Sequence, residues 1–365
     1  MSPQFLSSAY HGLQPLLRRL PLQWQVKLAA AGRRYYLQQF VALKVAPSYI
    51  PPAAMARQLW GINFRSGVYN AAGMFKNGEG YDVVARLGAG AYLGGTSTAN
   101  PRLGNQKLGI ALPFISLPKS KVALNYLGLP NYGDEVLATQ VLTRQKISGC
   151  PIGWSVMRSP DFNEEEGLKQ LLASLWRYHN HPQIDFIEIN ESCPNVQHSS
   201  SNLLLRLSQI AQQFLKQRQR SLPVIVKFST DLEHAALPRI IESLVANGFA
   251  GINLGNTSTA YSELLDQIEP SERELFKYFT RQFGGGVSGH VLKAKSLELC
   301  SLAAECCARL QPNHEFHIIR SGGIEDYADF VAAQAAGVTM SQWYSGFFNA
   351  YARSGAAVYR DFFRE

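Results

Sequence analysis

Asn190, Cys193 and Asn195 place two primary amides and a thiol within one short run, Ile189-Asn190-Glu191-Ser192-Cys193-Pro194-Asn195. An Asn side chain offers two donors and an acceptor oxygen, which suits a ring of alternating C=O and N–H groups. A thiol accepts a proton when its pKa lies near the working pH. The combination points to a site that holds a planar heterocycle and moves a proton on it. The run follows the apolar residues Phe186, Ile187 and Ile189 and ends at a proline, so it reads as the end of a buried strand entering a loop.

The rest of the chain must supply the frame for that loop. From about residue 60 short apolar runs alternate with amphipathic stretches. The expected strands are Val68–Gly73, Ala91–Thr98, Pro151–Val156, Phe186–Ser192, Pro223–Ser229, Gly251–Thr257, His317–Gly322 and Thr339–Ser345. Helical stretches between them include Glu164–His179, Asn202–Gln219, Glu233–Asn247, Ala294–Leu310 and Tyr327–Ala336. Eight such alternations in one domain predict an α/β fold, a (β/α)8 TIM barrel, over residues 60–365. Two irregular insertions interrupt it, Asn100–Leu137 and Thr259–Lys293. Residues 1–46 predict two short helices broken at Pro21, and the prolines at 47, 51 and 52 predict a stiff linker over 47–59.

In a barrel of this kind chemistry sits at the C-terminal ends of the strands. The polar residues gather there: Lys76 after the first strand, Thr96 and Thr98 at the second, Ser155 in the third, Asn190, Cys193 and Asn195 after the fourth, Lys227 in the fifth, Asn256 and Thr257 at the sixth. Ser321-Gly322-Gly323 follows the seventh and Tyr344-Ser345-Gly346 the eighth. Glycines after strands seven and eight suit an anion held by backbone N–H groups.

The bulk composition narrows the class. The 365 residues are 46% hydrophobic, enough for one large domain. No apolar run reaches the roughly 18 residues of a membrane-spanning helix, and no cleavable signal peptide is evident. Cys150, Cys193, Cys300, Cys306 and Cys307 are odd in number and irregular in spacing, which argues against a disulfide framework and against a metal site. The net charge of +8 is uneven, because no acidic residue precedes Glu79. Basic residues such as Arg18, Arg19, Lys27, Arg33 and Arg34 interleave there with Leu16, Leu17, Trp24, Leu28, Tyr35 and Tyr36. That pattern suits either a peripheral membrane-surface element or a basic helical pair packed on its own domain. Nucleic acid is not expected, since no recognition motif accompanies the charge.

From about residue 60 onward the chain resembles the dihydroorotate dehydrogenase family. The resemblance is carried by Ala71-Ala72-Gly73-Met74-Phe75-Lys76-Asn77-Gly78-Glu79, by Gly95-Thr96-Ser97-Thr98 through Gly104-Asn105, and by Asn125-Tyr126-Leu127-Gly128-Leu129-Pro130-Asn131. Asn190 to Asn195, Lys227, Asn256-Thr257, Gly285-Gly286-Val287-Ser288-Gly289, Ser321-Gly322-Gly323 and Tyr344-Ser345 follow in family order. The resemblance implies FMN across the barrel mouth, with Ala72, Gly73, Thr96, Ser155, Asn190, Lys227 and Asn256 among the residues that bind it. Its phosphate would lie against Gly289, Gly322, Gly323, Tyr344 and Ser345. It further implies dihydroorotate bound by Lys76, Asn125, Asn190, Asn195, Asn256 and Thr257. Cys193 would remove the C5 proton while hydride leaves C6 for the flavin. Lys227 would face the flavin's N1/O2 edge, where negative charge develops on reduction.

The family has two arms and this chain resembles both. Cys193 and Leu129-Pro130-Asn131 resemble the cytosolic arm. The N-terminal helices, Lys76 and Gly95-Thr96 resemble the membrane-bound arm, in which two helices admit a quinone. An Arg usual near the quinone would fall around Ile110–Leu112, where none stands. Phe75 replaces the family's usual Asp, and the loop after Asn195 lacks its usual Gly. Glu191 is expected to turn away from the pocket by strand alternation. Three readings stay open at this point. The first is a quinone-linked dihydroorotate dehydrogenase peripheral to the cytoplasmic face of a membrane. The second is a cytoplasmic FMN oxidoreductase acting on another pyrimidine with a soluble acceptor. The third is a catalytically silent, membrane-associated FMN barrel.

Overall fold

The computed structural model describes residues 2–45, 48–142, 145–191 and 203–364. Eight parallel strands form the centre: β1 Val68–Asn70, β2 Tyr92–Ser97, β3 Ile152–Val156, β4 Phe186–Asn190, β5 Val224–Phe228, β6 Gly251–Leu254, β7 His317–Ser321 and β8 Met340–Trp343. They hydrogen-bond in the order β1-β8-β7-β6-β5-β4-β3-β2. All eight expected strands are present, most of them shorter at the C-terminal end. The chain leaves β1, β6 and β8 at Asn70, Leu254 and Trp343, so the polar residues beyond them occupy loops. Gly73 and Gly255 take positive φ there, +86° and +117°, which a strand does not.

A side chain helps to close the cylinder between β1 and β2. Asn70 Nδ2 donates to Leu93 O at 2.7 Å, and Leu93 N donates to Asn70 Oδ1 at 3.2 Å. The amide thus stands in for a peptide of the missing ladder. Gly90 N to Val68 O at 2.9 Å and Gly73 N to Gly95 O at 2.7 Å reinforce the join.

Strands buried on both faces explain why the sequence shows continuous apolar runs. In β4, Ile187 and Ile189 pack outward with the helices, while Phe186 joins Tyr69, Leu93, Ile225, Ile319 and Met340 inside the barrel. Outer helices form where local chemistry supports them. Glu164–His179 starts at Asn163, whose side chain accepts from Glu166 N, carries three Glu in its first turn and ends with Arg177 and His179.

The N-terminal helices are α1 Pro3–Leu17 and α2 Leu22–Val41, broken at Pro21 as expected. α2 is fixed at both ends. Phe40 is fully buried in the main core, while Val26, Ala29 and Ala30 belong to a second core with Ile115, Leu124, Phe276, Phe279 and Val287. That second core corrects one expectation. The two insertions are not merely irregular. Phe114–Leu117 and Val122–Asn125 from the first pair antiparallel, and Gly286–Gly289 from the second adds to the same sheet. No helix among the described residues is long and apolar enough to cross a membrane.

Candidate active site

One cleft opens at the C-terminal ends of the strands. Its lining includes Ala72, Gly73, Lys76, Thr96, Asn125, Asn190, Lys227, Asn256, Thr257, Gly289, Gly322, Gly323, Tyr344 and Ser345. These expected residues come from seven strand ends and the antiparallel sheet, so only the closed barrel brings them together. Ser155 is the exception. It is fully buried and its hydroxyl lies 2.9 Å from Thr96 Oγ1, so it supports a lining residue and does not line the cleft itself. Cys193 and Asn195 lie outside the described residues.

The amides are linked to one another. Asn256 Nδ2 donates to Asn190 Oδ1 at 3.2 Å, and Asn190 Nδ2 donates to Thr96 Oγ1 at 3.3 Å. Asn256 Oδ1 also accepts from Thr257 N at 2.9 Å. Such a chain fixes which amide atom faces which neighbour. Asn125 ends its strand opposite Gly286 and donates weakly to Gly286 O at 3.4 Å. Its loop turns at Gly128, φ +69°, where a Cβ would sit 2.2 Å from Asn105 Oδ1. Leu127 and Leu129 line the cleft, whereas the Asn131 amide is occupied by Thr98 Oγ1 and Leu129 O at 3.0 and 2.9 Å.

Two features fit a bound flavin and its substrate. Thr257 Oγ1 is buried at the cleft wall with no hydrogen-bond partner among the described residues, a cost that a ligand would relieve. At the opposite end Gly322 and Gly323 adopt φ +91° and +76°, and a Cβ on Gly323 would sit 2.3 Å from Lys293 Cα. Only glycine permits that turn. Beside it begins the helix Ser345–Ser354, whose first hydroxyl lies 3.1 Å from Ser288 Oγ. Glycine backbone, hydroxyls and a helix start suit a phosphate.

Lys227 is buried beneath the cleft. Its ammonium donates to Gln342 Oε1 at 3.2 Å and lies 3.9 Å from Glu188 Oε1. Burial pulls its pKa below the usual lysine value, and the Glu188 carboxylate pushes back upward. Sequence reasoning missed Glu188 and Gln342. Alternation was the available signal, since Glu188 stands two residues before Asn190 on the same barrel face. Glu191, one residue beyond, is turned away as expected, its carboxylate held by Arg206 Nη2 at 2.7 Å.

Phe75, the departure from the family's Asp, is a core residue. It is fully buried and stacks between Tyr92 and Phe40, with centroids 5.8 and 6.0 Å away. It does not line the cleft.

A second, more apolar cavity lies between α1, α2 and the barrel. Leu6, Tyr10, Leu28, Arg33, Tyr36 and Phe348 line it, and it shares Phe114 and Tyr344 with the cleft. Arg33 Nη2 donates to Tyr344 OH at 3.0 Å, and the guanidinium lies 5.5 Å from the Phe114 ring centre. The segment at residues 110–112 has no arginine, yet α2 delivers one to the boundary between the cavities. The helical pair also exposes Leu13, Leu16 and Trp24.

A family model described as dihydroorotate dehydrogenase matches residues 54–357. A protein named dihydroorotate dehydrogenase (quinone) from Saccharophagus degradans is 28% identical over 336 residues, 90% of this chain and 89% of that one. One of the same name from Chromobacterium violaceum is 29% identical, covering 92% and 93%. The fold matches the crystal structure of DHODH in complex with ferulenol from Eimeria tenella, with a TM-score of 0.72, 21% identity and coverage of 92% and 89%.

Proposed function

Because the chain belongs to the dihydroorotate dehydrogenase family, we propose that it oxidises dihydroorotate to orotate with FMN as hydride acceptor and passes the electrons to a quinone. The family is flavin-dependent and acts on CH–CH bonds. What carries the reading is convergence: Lys76, Thr96, Asn125, Asn190, Lys227, Asn256 and Thr257 face one cleft although they are spread over half of the chain.

FMN, when bound, would supply a two-electron acceptor for hydride. The chain's own residues do the rest. Gly289, Gly322, Gly323, Tyr344 and Ser345 would hold the phosphate. Lys227 would offer positive charge where the ring gains negative charge on reduction. Asn125, Asn190, Asn195 and Asn256 grip the amide groups of the pyrimidine, Thr257 adds a hydroxyl and Lys76 a cation for the substrate. Cys193 takes the proton from C5; its reference pKa of about 8.5 requires only a modest fall for base chemistry at neutral pH.

The second cavity supports quinone as acceptor, since it reaches the cleft at Phe114 and Tyr344 and is lined mostly by apolar groups. Exposed Leu13, Leu16 and Trp24, set among the exposed Arg19 and Lys27, support docking on a membrane surface. Steady-state assays test the acceptor. Dihydroorotate should be converted to orotate with a short-chain quinone and not with fumarate; turnover with fumarate alone would overturn the quinone assignment.

A further inference from the structure

Glu188 from β4, Lys227 from β5, Asn253 from β6 and Gln342 from β8 meet inside the barrel under the cleft. Glu188 is fully buried. Its Oε2 accepts from Asn253 Nδ2 and from Gln342 Nε2, both at 2.7 Å. Its Oε1 accepts no hydrogen bond among the described residues and faces Lys227 Nζ at 3.9 Å. The same contacts orient Gln342. Because its Nε2 donates to Glu188 and to Tyr69 OH, its Oε1 is turned to Lys227 Nζ and Ser321 Oγ, at 3.2 and 2.8 Å. The network therefore aims one carboxylate oxygen and one amide oxygen at a single ammonium.

A carboxylate inside a barrel is strongly disfavoured unless a counter-charge stands beside it. Among the described residues, the other groups turned toward the pair provide none. Asn253, Ser321 and Gln342 are neutral, as are Thr96 and Ser155 from the neighbouring strands. Burial holds the Tyr69 phenol protonated. Lys76 lines the cleft from the segment after β1.

Resting on the flavin reading above, we propose that Glu188 is the counter-ion that keeps Lys227 protonated before electrons arrive, so that a fixed positive charge waits at the flavin edge. Glu188 is a positioning residue, acting through Lys227. A buried lysine with no carboxylate beside it is pulled toward the neutral amine. In Glu188→Gln, Lys227 loses that carboxylate and gives up its proton, regaining it only when the reduced ring supplies a new anion. The balance of charge then differs. In the native protein two electrons and one proton enter, leaving an anionic reduced ring beside Lys227. In Glu188→Gln two electrons and two protons enter, the second proton ending on Lys227 Nζ.

The test is the midpoint potential of the bound flavin as a function of pH, measured anaerobically without substrate on the native protein, Glu188→Gln and Glu188→Asp. The expected result is one proton per two electrons in the native protein and in Glu188→Asp, and two in Glu188→Gln, so that the slope doubles. Equal slopes in the native protein and Glu188→Gln would overturn the proposal. So would a native slope that already corresponds to two protons, a result that needs no variant to fold. A chain that takes up no flavin would overturn the reading of the cleft together with this inference, whereas unchanged slopes in yellow protein would overturn the inference alone.

Discussion

Arg33 Nη2 donates to Tyr344 OH at 3.0 Å, joining a side chain of α2 to a residue that lines both cavities. The bond places a permanent cation where an electron acceptor in the helical cavity would come nearest the flavin. A hydrogen bond from a charged donor contributes about 1.5–3 kcal/mol. Arg33→Ala should therefore raise KM for a quinone by roughly tenfold or more. Anaerobic flavin reduction by dihydroorotate should be unaffected. Comparing steady-state turnover with single-turnover reduction separates the two effects.

Phe40 ties α2 to the barrel. It is fully buried and meets Phe75, Phe347, Phe348 and Tyr351 with ring centres 5.0–6.1 Å away. Phe40→Ala should cost about 3–5 kcal/mol of stability, the usual range for emptying such a site. Thermal unfolding checks this. A loss below about 1 kcal/mol would mean that α2 is not held through this residue.

Thr257 carries a buried hydroxyl that no described residue satisfies. Thr257→Val keeps the shape and removes an unpaired polar atom, so the melting temperature should hold or rise. Orotate affinity should fall about tenfold if that hydroxyl binds the pyrimidine. Calorimetry and orotate titration then part, stability kept while affinity falls, a pattern that a purely structural Thr257 would not produce.

The thiols differ in reactivity. Burial pushes Cys150 and Cys300 up to about 12 and Cys307 up to about 11. Their thiolate fractions at neutral pH are minute, so brief alkylation should pass over all three. Label should appear on the peptide containing Cys193, activity should fall in parallel, and orotate should protect it. Peptide mass spectrometry checks the site of modification.

Much of this was legible in the sequence because barrel strands buried on both faces write themselves as apolar runs, and the residue at the end of each run faces the mouth. Asn190, Lys227 and Asn256 follow from that rule. The sheet of Phe114–Leu117, Val122–Asn125 and Gly286–Gly289 was not legible, since Gly286 pairs with Asn125 from a distant part of the chain and neither run alternates strongly. Arg33 was hidden for a related reason. It lies on α2 among other basic residues, and only docking of the helix on Phe114–Leu117 brings it to Tyr344. Glu188 was hidden by its apolar neighbours, although its face was predictable from Asn190. Ser155 shares the polar character of the mouth yet stays behind Thr96, a distinction of depth that strand periodicity does not carry.

In the proposed reaction bound dihydroorotate gives hydride to the flavin while Cys193 takes its proton. Anaerobic mixing of the yellow protein with dihydroorotate, followed at the flavin absorbance band, tests it most directly. The native protein should bleach in a single turnover, and Cys193→Ala should retain flavin and bind orotate but bleach slower by about two to four orders of magnitude. Native protein that stays yellow, or a Cys193→Ala variant that bleaches at the native rate, would contradict the account.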